Sequence, residues 1–148
     1  MRYFLGIDGG GTKTRAVLVN DTLQVLGAGT SDASNHHAVG ADTAVQHCAE
    51  AAQLAIADAA RIDTNVRKNT IAGWGFGLAG VRRESDAFLM RGRLNALCGG
   101  TPWILETDAV AAHFGAFNGE TGIVQIAGTG AICLGVDAAG ERFYTDGW

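Results

Sequence analysis

Residues 3–19 read YFLGIDGGGTKTRAVLV, and how this stretch turns decides the fold. An apolar run ends in Asp8, then Gly9, Gly10 and Gly11 turn the backbone before Thr12 and Lys13. A second β-branched run, Arg15 to Val19, leaves. Glycines in succession can bring backbone N–H groups onto one anion, which suits a phosphate. The Asp8 carboxylate stands at the mouth of the turn, where a divalent cation escorting a nucleotide would be. A hairpin with glycines for geometry alone would need neither Asp8 nor the Thr12–Lys13 pair. The Walker loop requires Gly-Lys-Ser/Thr opening a helix, whereas here Gly11-Thr12-Lys13-Thr14 opens a strand. The dinucleotide fingerprint fails at Thr14 and again in context. A phosphate-binding β-hairpin remains.

The 148 residues suffice for one core, or for one domain and part of another. A net charge of −4 with scattered basic residues gives no footprint for nucleic acid. No apolar run approaches the roughly 20 residues of a membrane span. Asp8 interrupts the first apolar run, so no signal peptide is read and a cytoplasmic location is expected. Cys48, Cys98 and Cys133 lack metal-site spacing and are expected as small buried hydrophobes in a reducing cytosol. With 22 glycines, one proline and 47% hydrophobic residues, the composition implies tight turns and close backbone approaches rather than disorder.

Beyond the hairpin, strands at 3–8 and 14–19 predict a meander with a third strand at 23–27. Residues 30–40 (TSDASNHHAVG) read as a loop, and 41–61 as a long alanine-rich helix packing through small side chains. The glycine-studded apolar run 71–78 reads as a central buried strand. A helix over 84–97, a short strand over 103–106 and a helix over 109–117 follow. The order β-β-β-α-β-α-β-α predicts an α/β fold, a mixed sheet with helices on both faces ending near residue 118. The pattern then restarts: IAGTGAICLGVDA repeats the strand, glycine turn, strand, acidic turn layout of IDGGGTKTRAVLVND. This internal duplication places a first domain at 1–118 and the start of a second at 119–148. Three strands without covering helices imply a fragment of a larger two-domain enzyme, an isolated folding or assembly unit being the non-enzyme alternative.

Asp108 ends a strand and opens a helix, where the helix dipole favours an ionised carboxylate that can project into a cleft. Alternatively it is only an N-cap. Glu106, two positions earlier, is expected on the opposite strand face with a structural role. Adjacent His36 and His37 invite a metal reading, but neighbours diverge in direction and no third ligand is placed by the sequence.

GIDGGGTKTRAVL, LETDAVAAHFGAF and GIVQIAGTGAICLG, in this order, resemble the first phosphate motif, connecting segment and second phosphate motif of the superfamily of sugar kinases, actin and heat-shock chaperones. More narrowly they resemble the group of N-acetylglucosamine kinases, glucosamine kinases and BadF-type activating ATPases. The resemblance implies two ribonuclease-H-like domains with ATP and Mg²⁺ between them, and an adenosine-binding segment beyond Trp148. It implies that Gly9, Gly10, Gly11 and Thr12 cradle phosphates, with Lys13 near them, and that Gly128, Thr129 and Gly130 close from the second domain. Asp8 would hold Mg²⁺, through water. Asp108 would orient a sugar hydroxyl and accept its proton. Asn35 and His36 resemble an acceptor-binding loop, and Gly147 and Trp148 the start of a segment that contacts the sugar. The activity implied is ATP-dependent phosphorylation of N-acetylglucosamine to N-acetylglucosamine 6-phosphate, with glucosamine kinase or an activating ATPase as alternatives. The last would need cluster-holding cysteines that Cys48, Cys98 and Cys133 do not arrange. The partners expected are an amino sugar and, as an option, a second copy in a homodimer, with no nucleic acid and no membrane.

Overall fold

The β-branched runs flanking the first glycine turn pair with each other and become the middle of a sheet. A computed structural model describes residues 1–128 and 130–146, with the side chain of residue 146 left aside. Thr129, Gly147 and Trp148, all expected at the site, lie outside the described residues. β1 (Tyr3–Gly9), β2 (Lys13–Asn20) and β3 (Val25–Asp32) form an antiparallel meander. β4 (Ile71–Leu78) and β5 (Trp103–Thr107) run parallel to β1, giving the order β3-β2-β1-β4-β5. The helices are α1 (His36–Val39), α2 (Ala41–Ala59), α3 (Glu84–Cys98) and α4 (Asp108–Phe117). The sheet is mixed and helices cover both faces, as the element order predicts.

Strand alternation assigns the faces. Tyr3, Leu5 and Ile7 of β1 share a buried core with Trp74, Phe76 and Leu78 of β4 and with the alanines of α2. That helix lies directly on glycine: a Cβ on Gly27 would stand 2.3 Å from the Ala55 carbonyl, and one on Gly29 2.2 Å from that of Ala51. An alanine face on a bare backbone lets helix and sheet close to contact, which accounts for the glycines of β3. α4 uses the same device on the other face, where a Cβ on Gly77 would lie 2.5 Å from the Ala111 methyl.

Two expectations need correction. The third strand starts at Val25 and runs to Asp32, not 23–27, because Leu23 sits in the preceding turn at φ 61°. Asn20 organises that turn, its Oδ1 accepting from the amides of Thr22 and Gln24. The polar residues 30–32 belong to the strand because they pair with Arg15, Thr14 and Lys13 of β2. Residues 36–39, expected as loop, form one helical turn whose N-cap is Asn35.

The second sheet, β6 (Gly122–Ala127), β7 (Ala131–Val136) and β8 (Arg142–Asp146), repeats the antiparallel meander of β1–β3. Val124, Leu134 and Tyr144 share one face by register, and Leu134 is fully buried under α4. On the opposite face Ile123 is 71% and Phe143 55% exposed. Among the described residues no helix is long and apolar enough to cross a membrane.

Candidate active site

Parallel β1, β4 and β5 all end on one edge of the sheet, the edge where α/β proteins bind ligands. There a cleft of about 1240 Å³ is lined by Asp8, the first glycine turn, Asn35 and Asp108, with Gly128 and Gly130 from the second sheet opposite. The two glycine turns that the sequence presents as repeats therefore face one space.

The first turn is rigidly seated. The Gly10 amide donates to the Lys13 carbonyl at 3.1 Å, and the Ala79 amide donates to the Gly9 carbonyl at 2.8 Å. Gly9 itself could be nothing larger, since a Cβ would stand 2.1 Å from Ser34 Oγ and 2.6 Å from Leu78 Cδ2. The expectation that all four residues 9–12 offer amides is thus narrowed, because the Gly10 N–H is occupied. Gly11, Thr12 and Lys13 remain on the cleft wall.

Asp8 leaves β1 on the face away from the core and is exposed to the cleft. Register puts it in one row with Gly77 of β4 and Glu106 of β5, so Glu106, expected on the opposite strand face, shares the face of Asp8. Because Gly77 has no side chain, nothing from β4 stands between Asp8 and the start of α4.

Asp108 is the first residue of α4, but it does not cap the helix. Thr107 is the N-cap, its hydroxyl accepting from the Val110 amide at 3.2 Å. Asp108 Oδ1 accepts from the Ala109 amide at 2.8 Å, and the half-buried carboxylate faces the cleft. The N-cap alternative is removed. Burial pushes the Asp108 carboxyl above its ordinary 3.8, the Ala109 amide pulls back, and the charge of nearby Asp8 pushes up again. The helix dipole was expected to favour the ionised form, yet desolvation outweighs it. A carboxylate placed this way is a stronger base than one in water.

Asn35 lies on the cleft with its orientation decided by chemistry. Its Oδ1 accepts from the His37 amide at 3.1 Å, as the α1 cap requires, so the amide's other end is Nδ2, a donor. Its own backbone amide and that of Ser34 both donate to the Gly10 carbonyl, at 3.1 and 3.0 Å. The phosphate turn and the Asn35 segment are therefore one hydrogen-bonded unit, which nothing in the sequence signals. His36, expected beside Asn35 at the acceptor, is instead buried and turned to Asp86 of α3 at 3.2 Å, while exposed His37 reaches the cleft.

Sequence reasoning also missed two contacts that tie β8 to the first sheet and to the loop after β4. Arg142 of β8 grips Glu106 through both guanidinium nitrogens, at 3.1 and 3.3 Å. The Arg82 guanidinium lies 4.7 Å from the centre of the Tyr144 ring. The only sequence hint was a charged residue following the apolar Trp103–Leu105 run of β5.

The sequence profile of the BadF/BadG/BcrA/BcrD ATPase family matches residues 5–148. The chain belongs to this family. It is 35% identical over 98% of its length to an N-acetyl-D-glucosamine kinase of Dictyostelium discoideum, of which it covers 47%. It is 30% identical over 99% of its length to a glucosamine kinase of Vibrio cholerae, again covering 47%. Among solved structures it superposes on a Chromobacterium violaceum protein provisionally described as an N-acetylglucosamine kinase, with a TM-score of 0.80 and 26% identity. That match covers all of this chain and 50% of the other. The fold is that of the actin-like ATPases and sugar kinases. The chain spans about half the length of the curated relatives it matches.

Proposed function

We propose that the complete protein phosphorylates an amino sugar with ATP, converting N-acetylglucosamine to N-acetylglucosamine 6-phosphate. One observation carries the reading: Asp108 is released from helix capping by Thr107 and made more basic by burial, and it shares a cleft with two glycine turns. In this reading residues 1–118 form the first domain and the β6–β8 sheet opens the second.

The chemistry follows from the groups present. Asp108 accepts the proton of the sugar hydroxyl as that oxygen bonds to the terminal phosphorus and ADP leaves. Asn35 Nδ2 donates to a second sugar hydroxyl and holds the acceptor in register. Gly11 and Thr12 on one side and Gly128 and Gly130 on the other bind the phosphate oxygens, with Lys13 adding charge. Two carboxylates in mutual repulsion at the mouth of a phosphate turn fit a divalent cation, with Asp8 the exposed one suited to hold hydrated Mg²⁺. A cation bound there supplies charge neutralisation for the transferring group.

The kinship with N-acetyl-D-glucosamine and glucosamine kinases supports an amino-sugar acceptor. An activating ATPase is disfavoured because Cys48 and Cys98 are core residues whose thiols burial pushes up to about 11, and Cys133, only partly buried on β7, joins no ligand cluster among the described residues. The test is ADP release by the full-length protein offered N-acetylglucosamine, glucosamine or glucose. The expected result is stimulation strongest with N-acetylglucosamine. Stimulation strongest with glucosamine would move the assignment to glucosamine kinase, and ATP hydrolysis indifferent to all three would overturn it.

A further inference from the structure

α1 is a single turn of four residues, too short to hold its shape alone. Yet it carries the cap that orients Asn35, so something outside it must keep it in place. His36, its first residue, is 7% exposed and, unlike His37 and Asp86, is not among the residues lining the cleft. Its Nε2 lies 3.2 Å from Asp86 Oδ1, and the two side chains are only 5% and 15% exposed. His37 Nε2 stands 3.4 Å from Asp86 Oδ2, within ion-pair reach though out of line for a hydrogen bond. The two imidazole rings pack at 4.1 Å between centroids. Behind them Gly80 leaves room that no other residue would: a Cβ there would meet Asn35 Oδ1 at 2.9 Å and His37 Cδ2 at 3.0 Å.

We propose that Asp86 is a positioning residue for the acceptor: it ties both histidines of α1 to α3 and so sets where the Asn35 amide faces the cleft. Asp86 also lines the cleft beside His37, and the part assigned to it is to hold the two rings in place rather than to meet a reacting group. The inference rests on Asn35 contacting the sugar, as proposed above.

The same three side chains, with donor atoms all within 4.8 Å, could also be read as a metal site. His36 decides against it. Its Nδ1 is buried without a hydrogen-bond partner. A metal on Nε2 would require the proton on Nδ1, stranding a donor in the interior, whereas ligand histidines engage that N–H with an acceptor. With the proton on Nε2, donated to a carboxylate that can only accept, Nδ1 keeps a bare lone pair.

The experiment compares Asp86→Ala, Asp86→Asn and His37→Ala in the full-length protein. Losing a hydrogen bond to a charged group that orients the acceptor contact should raise the sugar KM about tenfold for Asp86→Ala, with ATP KM and kcat within about twofold. Asp86→Asn keeps one acceptor for His36 and should recover part of the loss. His37→Ala, altering a half-exposed ring that leaves the core intact, should raise the sugar KM about threefold, and it stands in if Asp86→Ala fails to fold. A second readout needs no turnover. The Val39 and Gly40 amides, which donate to Asn35 and His36 carbonyls, should exchange with solvent about tenfold faster in Asp86→Ala or His37→Ala. Unchanged sugar KM together with unchanged exchange would overturn the inference even if the melting temperature fell. Stoichiometric Zn²⁺ or Co²⁺ binding lost on Asp86→Ala would overturn it in favour of a metal site. A wild-type protein indifferent to all sugars would instead refute the kinase reading, leaving the exchange measurement to judge the clasp.

Discussion

The two glycine turns share a sequence pattern and a cleft, but their glycines are present for different reasons. Gly9 is demanded by packing, with Ser34 Oγ and Leu78 where a side chain would go. At Gly128 a Cβ would meet no atom of the described residues within 4 Å, and its backbone is not at positive φ. Among the described residues neither sterics nor conformation requires glycine there, which leaves the backbone open to close approach by a ligand. The strands behind the first turn bury Leu5, Ile7, Ala16 and Leu18 almost completely, whereas the second sheet buries Leu134 and exposes Ile123 and Phe143. One turn is a fixed part of a core, and the other is carried by a thin sheet resting on α4.

Asp108, between the turns, gives the largest expected effect. Asp108→Asn in the full-length protein should lower kcat by roughly 10²–10⁴ with ATP binding retained. Unchanged turnover would mean that the two turns do not converge on this carboxylate. The raised pKa adds a signed stability effect. Folding disfavours the charged form, so the carboxyl's favourable contribution is full below its unfolded value of 3.8 and is lost as pH rises through the higher folded value. Measured without nucleotide or cation, Asp108→Asn should therefore melt higher than wild type at pH 7 and no higher at pH 3. For the same reason the acid limb of kcat/KM should fall above the ordinary carboxylate value.

The next pair of variants tests the comparison directly. Gly9→Ala must displace Ser34 and Leu78 and should destabilise the chain by about 1–3 kcal/mol in denaturant titration. Gly128→Ala should leave stability within about 0.5 kcal/mol while raising the ATP KM about tenfold in the full-length protein. If both variants only destabilised, or neither did, the two glycines would have one role and the contrast would fail.

What the sequence made legible was whatever local pattern encodes. Alternation in β1 and β2, the 3.6-residue spacing of small residues in α2 and the glycine turns placed strands and helices within a residue or two. Tyr3 to Val19 alone justified a hairpin closed by glycines. Leu23 misled because an apolar residue at positive φ looks like strand until the Asn20 side chain is seen to close the turn. Residues 30–32 looked like loop because an edge strand needs no apolar alternation. At the site, Asp108 was identifiable, but its freedom from capping depended on Thr107 taking the role one position earlier. Gly10 joining Asn35, and Asp86 meeting His36, span 25 and 50 residues along the chain, and polar pairs at such separation leave no periodic trace.

The smallest expected effect concerns how the second wall is held. Arg142 meets Glu106 bidentately, but their side chains are 45% and 39% exposed, so solvent screening leaves the pair worth about 0.2–1 kcal/mol. Arg82 against Tyr144 adds a contact of similar size, about 0.5–1 kcal/mol for an exposed site. Energies of this order leave most of the hold on the second sheet to the packing of Leu134 under α4. Arg142→Ala should thus shift the melting temperature by no more than a few degrees, and by less as salt is raised. The second sheet should respond more than the first: amides of β7 should exchange faster while those of β1, buried in the main core, stay unchanged. Equal acceleration in both sheets would show that the walls unfold as one unit.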